Sequence, residues 1–443
     1  MIRAAAVLAG GLLLAWPAAL NGYPIVFSDL GGLLSMGHEP EIGWDKPWVY
    51  GPWLRAADLG LTLWLPMLLQ GLAVSHVLWL AQKATGGGIA WRHLALCAVL
   101  AAGSAAPWFA ALLMPDIFAP VAVLCLFMLG FAPLGTLSRG ERAWLLALAT
   151  FAIASHLAHL VVAAGCLAVV AALRWRRLPA SGAPLLLALC WLLAANWVGN
   201  GLLGVSPYGS IFALARLQAD GPAARYLKDV CPAAGYRLCA WADALPQDSD
   251  VFLWHPDGPV WANGYGPTYM AGEARQVLAA ALRAYPWQAA RAAAANTLEQ
   301  AGLAAVGDTL APDHLDATVL PRLRRFLPPA EAARFEASLQ AHGTLAAAAA
   351  PYLRPHRALL LAGLLGTLAM VPLGWLRGQP ALSALALVTL AGLAANAFAT
   401  GALSHPHDRY GARIAWLLLL PPLLALLPPL ALPPLLAPRR DRH

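Results

Sequence analysis

Long apolar runs separated by short polar stretches dominate this chain from end to end. They fall at residues 4–20, 58–81, 93–114, 119–137, 143–156, 158–173, 183–203, 357–376, 380–400 and 414–432. A hydrocarbon core of ~30 Å takes roughly 20 apolar residues of helix, and lipid offers the backbone no hydrogen-bond partner outside a helix or a closed barrel. The pattern predicts an all-α polytopic membrane protein with about ten transmembrane helices. At "AWLLALATFAIASHLAHLVVAAGCLAVVAAL" it reads either as two short spans meeting near His156 and His159 or as one long tilted helix.

Residues 204–356 break the pattern, being too polar to cross a bilayer and rich in turn signals such as "PDGP" and "NGYGPT". Within them "EARQVLAAALRAY" and "PAEAARFEASLQAHG" space apolar residues by three and four and predict amphipathic helices. "DSDVFLWHP" predicts a short strand, so this insert is expected to be mainly helical with a small α/β element. The predicted organisation is a membrane bundle over 1–203 with an outer loop at 21–57, a periplasmic domain over 204–356, and C-terminal spans over 357–443 ending in a basic tail. Proline pairs in "LLLLPPLLALLPPLALPPLL" predict a bent final span.

Charge then orients the bundle. Only 12% of the 443 residues are charged and 60% are hydrophobic, against about 25% charged in soluble domains. The net charge of +7 does not call for nucleic acid, because the basic residues sit in short clusters between apolar runs. With two spans in 143–173, Arg3, Lys83, Arg92, Arg139, Arg142, Arg174, Arg176, Arg177, Arg377 and the tail "APRRDRH" share one side. Asp29, Glu39, Glu41, Asp45 and Asp116 share the other. The positive-inside rule then places both termini in the cytoplasm, in a bacterial inner membrane. One long helix would carry the "RWRR" cluster and the basic tail outside, so two spans are the preferred reading. The opening "MIRAAAVLAGGLLLAWPAAL" resembles a secretory signal but lacks a small-x-small cleavage site, and it predicts a retained first helix. Cys97, Cys125, Cys166 and Cys190 lie in apolar runs as small hydrophobes. Cys231 and Cys239, in the polar "VCPAAGYRLCA", are candidates for a disulfide on the oxidising side.

Candidate chemistry gathers on that outer side. Asp29, in "PIVFSDLGG", stands in a still apolar segment just past the first run, where a carboxylate calls for a cationic partner or a raised pKa. Asp116, in "LLMPDIFAP", occupies a tight turn that proline and aspartate also favour structurally. An acid at either place could take a proton from a hydroxyl or hold a metal ion. His156 and His159 would share one helix face; Asn196 and Asn200, four apart, would contact either a neighbouring helix or substrate. The last outer loop, "TGALSHPHDRYGARIAW", concentrates His405, His407, Asp408, Arg409, Tyr410 and Arg413, and guanidinium forks suit phosphate oxygens. Asp45 and Lys46 complete the set of expected substrate contacts. No HExxH, paired CxxC, Walker loop or GxSxG elbow occurs.

A first outer loop with an acid just after span one, a second acid in the next outer loop and a late periplasmic insert together resemble the GT-C superfamily of integral-membrane glycosyltransferases. The resemblance implies a sugar donor carried on polyprenyl phosphate or diphosphate, a lipid or glycan acceptor, and a groove open to membrane lipid. By position it implies Asp29 as catalytic base or metal-site residue, Asp116 as the second acid, and Arg409 and Arg413 as groups for the donor phosphate. A divalent metal is a candidate cofactor on the same grounds. The chain departs from the family where paired acids are usual, since Leu30 follows Asp29. Two alternatives stand beside this expectation. One is a transporter or lipid-handling protein that uses buried aspartate and histidine for protons or substrate; the other is acyl transfer around His156 or His159.

Overall fold

The computed structural model describes residues 1–40 and 42–427; Glu41 and the basic tail at 437–443 lie outside the described residues. The described residues are mainly helical, and the only β pairing among them is one isolated parallel bridge between Ile25 and Leu112. Among the described residues, five helical segments are long and apolar enough to cross a membrane: Trp64–Thr85, Leu157–Asn200, His356–Leu376, Pro380–Ala402 and Asp408–Leu426. Ile2–Leu14, Ala90–Gly103 and Pro115–Phe131 are shorter apolar helices.

The 44-residue stretch Leu157–Asn200 is a hairpin, folded at the turn Trp175–Arg177. Its second arm lies along the preceding helix, Arg139–Ala154. Ala180 and Arg177 stand beside Arg142 at one end of that pair. At the other end, the Trp191 indole donates to the Trp48 carbonyl at 3.2 Å. The helices on either side of His156 are distinct, because His156 adopts extended backbone and its Nδ1 accepts from the Ala158 amide at 3.2 Å, starting a new helix. The basic end of the bundle is tied together as well. Glu141 closes a capping box with Ser138 and takes Arg3 and Lys83 at 3.0 and 2.8 Å.

Two expected spans are broken, each for a local reason. The run 4–20 divides at Ala15, where Pro17 cannot donate to the preceding turn and instead begins Trp16–Asn21. The run 93–114 stops at Gly103; the Ser104 hydroxyl accepts from the Ala106 amide at 3.2 Å just before the short helix Ala106–Ala111, and Leu112–Met114 follow it outside any helix. Non-helical backbone inside a bilayer is tolerated only where protein satisfies it. Here the buried Gln70 amide donates to the Leu112 carbonyl at 3.0 Å. The expected strand in "DSDVFLWHP" is instead the helix Ser249–Trp254, because the Asp248 carboxylate accepts from the Asp250 amide and caps it.

The insert contributes to two hydrophobic clusters. Residues between Tyr208 and Ala281 form one with Trp44 of the first outer loop packed against it, whereas Leu310, Leu315, Phe335, Leu345 and their neighbours join the core of the membrane bundle. Helix Pro286–Gly302 lies against the π-turn Phe398–Ala402 and the helix Asp408–Ala415. That approach requires Gly411: a Cβ there would stand 1.8 Å from the Leu303 carbonyl oxygen. Cys231 and Cys239 are joined by a disulfide in this insert.

Candidate active site

The segment Pro24–Phe27 is gripped from two sides. Ile25 donates to the Ala111 carbonyl at 3.0 Å and accepts from the Leu113 amide at 2.9 Å. One residue on, the Gln340 carboxamide from the insert mimics a peptide. Its Oε1 accepts from the Val26 amide at 3.1 Å, and its Nε2 donates to the Val26 carbonyl at 2.8 Å and to the Thr309 carbonyl at 3.1 Å. The parallel register has a consequence for chemistry. Asp29 lies four residues beyond Ile25 (25 + 4), and Asp116 four beyond Leu112 (112 + 4), so the two acids emerge from neighbouring backbones. Replacing Gln340 by Leu is expected to lower stability by about 1–3 kcal/mol, because both Val26 backbone groups would be buried without partners. The check is unfolding of purified protein in detergent, and an unchanged midpoint would contradict the grip.

The cations come from the far end of the chain. Asp408–Ala415 places Arg409 and Arg413 one turn apart on one face. The Arg413 Nη1 donates to Asp116 Oδ1 at 3.3 Å, and its Nη2 donates to Asn396 Oδ1 at 2.9 Å. The Arg409 guanidinium bridges the two acids, with Nε 3.6 Å from Asp116 Oδ1 and Nη1 3.8 Å from Asp29 Oδ2. It also lies 4.3 Å from the Phe27 ring centroid. Lys46 contacts Asp29 at 3.1 Å and touches Asp45. Asp116 and Arg413 are wholly enclosed, at 1% and 0% exposure, whereas the Asp29 side chain remains 31% exposed.

Burial alone would raise the Asp29 carboxyl, yet Lys46 and Arg409 hold it below the ordinary carboxylate value. Lys46 shows the reciprocal balance: burial opposes its charge, and Asp29 and Asp45 keep its ammonium more basic than usual. Asp308, whose carboxylate accepts from the Arg409 amide at 3.0 Å, is pushed up by burial.

His156, half-buried, and His159, fully buried, line the same end. His159 Nδ1 donates to the Ala152 carbonyl at 2.7 Å, which fixes the tautomer and leaves Nε2 as an acceptor. The His156 and His159 rings lie 5.1 Å apart between centroids and are tilted by 32° to each other, with Arg413 in electrostatic reach of both. Four buried polar atoms here have no hydrogen-bond partner: Asp116 Oδ2, Arg409 Nη1, Arg413 Nε and His159 Nε2. Buried polar groups are paired in the great majority of cases, so this concentration sets the cluster apart from the rest of the interior.

Of the expected site residues, Asp29, Asp45, Lys46, Asp116, His156, His159, Arg409, Tyr410 and Arg413 come together, the Tyr410 ring lying 5.0 Å from both guanidinium carbons. Three others point elsewhere. Asp408 accepts from the Ala305 amide at 2.7 Å and fastens the insert, while His405 and His407 face Asp250. Asn196 and Asn200 serve their own helix end, with Asn196 Nδ2 donating to the Gly204 carbonyl at 2.8 Å. Sequence reasoning overlooked Phe27, Asn396 and Asp308. Asn396 carried a signal, as a polar residue inside an apolar run; Asp308 carried none that set it apart from the other acids of the insert.

The acids are poorly suited to a divalent ion. Asp29 already meets Lys46 and Arg409, and Asp116 meets Arg409 and Arg413, so an ion bound between them would stand against three fixed positive charges. Compared with protein-family models, with curated proteins and with solved structures, the chain finds no match.

Proposed function

We propose that this protein is a membrane glycosyltransferase that moves a sugar from a polyprenyl phosphate or diphosphate donor to a lipid or glycan acceptor at the outer face. The observation that carries the reading is the enclosed pair Arg409 and Arg413 with unsatisfied donors beside a partly exposed, ionised Asp29. Sugar transfer from a lipid phosphate needs a base for the acceptor hydroxyl and fixed positive charge where the phosphate departs. Asp29 takes the hydroxyl proton as the oxygen attacks the anomeric carbon. The bond from that carbon to the phosphate oxygen breaks, and the phosphate leaves with the electron pair toward Arg409 and Arg413. Attack opposite the leaving group inverts the anomeric centre. Asp116 acts as a positioning residue that aims both guanidinium groups, and no step requires a metal at Asp29.

On this reading the ten apolar runs cross a bacterial inner membrane with both termini in the cytoplasm. The meeting of Arg3, Lys83 and Arg142 with Arg177 at the end opposite Asp29 supports that orientation. The insert would then be periplasmic, an oxidising compartment that suits its disulfide.

The test is transfer from radiolabelled polyprenyl-linked sugars by the purified protein in lipid nanodiscs. The pH profile adds a mechanistic check. Because Lys46 and Arg409 hold the Asp29 carboxyl below the ordinary carboxylate range, kcat/KM is expected to show no acid limb in the weakly acidic to neutral range. Lys46→Met removes a charge that lowers Asp29, so its pKa rises and the acid limb shifts toward neutral pH. A limb that stays in place after this substitution would exclude Asp29 as the base.

A further inference from the structure

We infer that Asp250, His405 and His407 form a binding site for a divalent transition-metal ion of the zinc class, which clamps the insert to the loop leading into Arg409. One ligand atom from each of the three lies within 4.8 Å of the other two. His405 Nδ1 and His407 Nε2 are each 3.6 Å from the same carboxylate oxygen of Asp250. That distance is too long for a hydrogen bond. It is close to the edge of a tetrahedron: ligand bonds of about 2.0–2.1 Å place neighbouring ligand atoms roughly 3.4 Å apart. Small rotations of three partly exposed side chains would complete the geometry, their exposures being 34%, 41% and 47% for His405, His407 and Asp250.

Two further features fit an ion. His405 Nδ1 is buried and has no hydrogen-bond partner, as expected of a nitrogen whose lone pair faces a ligand position. The backbone of His407 is held on both sides by Gln300, whose Oε1 accepts from the His407 amide and whose Nε2 donates to the His407 carbonyl, both at 2.9 Å. Such outer contacts orient metal-ligating residues. Two imidazoles and one carboxylate suit zinc or cobalt better than magnesium or calcium, which favour oxygen donors. Water would supply the fourth ligand, the three side chains being partly exposed.

The site joins segments 155 residues apart (405 − 250). His407 is the residue from which the helix Asp408–Ala415 starts, so an ion here would lock Ser249–Trp254 against the approach to Arg409. The inference does not depend on the transferred group. A failed glycosyl-transfer assay would leave it standing, and a failed metal titration would leave the transferase reading standing.

The test is titration of the untagged full-length protein in detergent with Co²⁺, then competition with Zn²⁺. The expected result is one equivalent of Co²⁺ with the intense visible absorption of a four-coordinate site, displaced by Zn²⁺, together with a thermal midpoint that rises on zinc addition and falls on chelation. Asp250→Ala, His405→Gln and His407→Gln should each weaken binding at least tenfold, whereas His342→Ala should not. Absence of the cobalt band in the wild-type protein overturns the inference even if the variants fold poorly. Equal loss in His342→Ala, or retention after His405→Gln and His407→Gln are combined, overturns it too.

Discussion

Asp29→Asn is expected to abolish transfer from a polyprenyl-linked sugar, lowering kcat by about 10²–10⁴-fold, the usual contribution of a positioned base. Asparagine keeps the size of the side chain but cannot accept the acceptor's proton. Little of the fold should change, since the Asp29 side chain is 31% exposed and Lys46 retains Asp45. Donor binding should survive as well, because Arg409 and Arg413 are still held by Asp116. The measurement is single-turnover transfer in nanodiscs with donor affinity recorded separately, and full activity in the variant would remove Asp29 from the mechanism.

Arg413→Met is expected to cause the largest loss of stability, about 3–5 kcal/mol, which is the usual cost of stranding one member of a buried ion pair. Arg413 has no exposed surface and meets Asp116, itself 1% exposed, at 3.3 Å. Arg409 alone then faces Asp116 across 3.6 Å, and Asn396 loses the donor it accepted from at 2.9 Å. Asp116→Asn in the same chain removes the stranded charge and should recover part of the loss. A double-mutant cycle by denaturant unfolding in micelles measures the coupling. Effects that add to within about 0.5 kcal/mol would mean that the pair does not act as a unit.

These two experiments separate chemistry from architecture. Asp29 stays partly open, while Asp116 and Arg413 are sealed inside the bundle. The proposed transfer needs both conditions. The base must be reachable by an acceptor, and the cations must keep one geometry in a medium of low dielectric, where their effect is strong.

Much of this was legible along the chain, and some was not. The hairpin at 157–200 was foreshadowed by "RWRR", since basic residues between two apolar runs mark a turn on one side of a bilayer. The broken helix at 104–105 was hidden because Ser104, Ala105 and Pro107 scarcely dent an apolar window; only their hydrogen bonds end the helix. His405 and His407 drew attention as substrate contacts, but Asp250 lies in the insert among other acids and nothing local ties it to them. The grip of Gln340 on Val26 was equally silent, joining residues 314 apart.

The sequence by itself determined that this is a helical membrane protein with its charge sorted between segment ends and a polar insert. Hydrophobic runs and cationic clusters act within a few turns of helix, so their meaning survives in one dimension. Tertiary structure decided which acids meet which arginines. Contacts such as Arg413 with Asp116 cross 297 residues, and they exist because Ile25 pairs with Leu112 in one register and Gly411 lets a helix of the insert come close. Packing of that kind depends on shapes from every part of the fold at once, and no local pattern of residues encodes it.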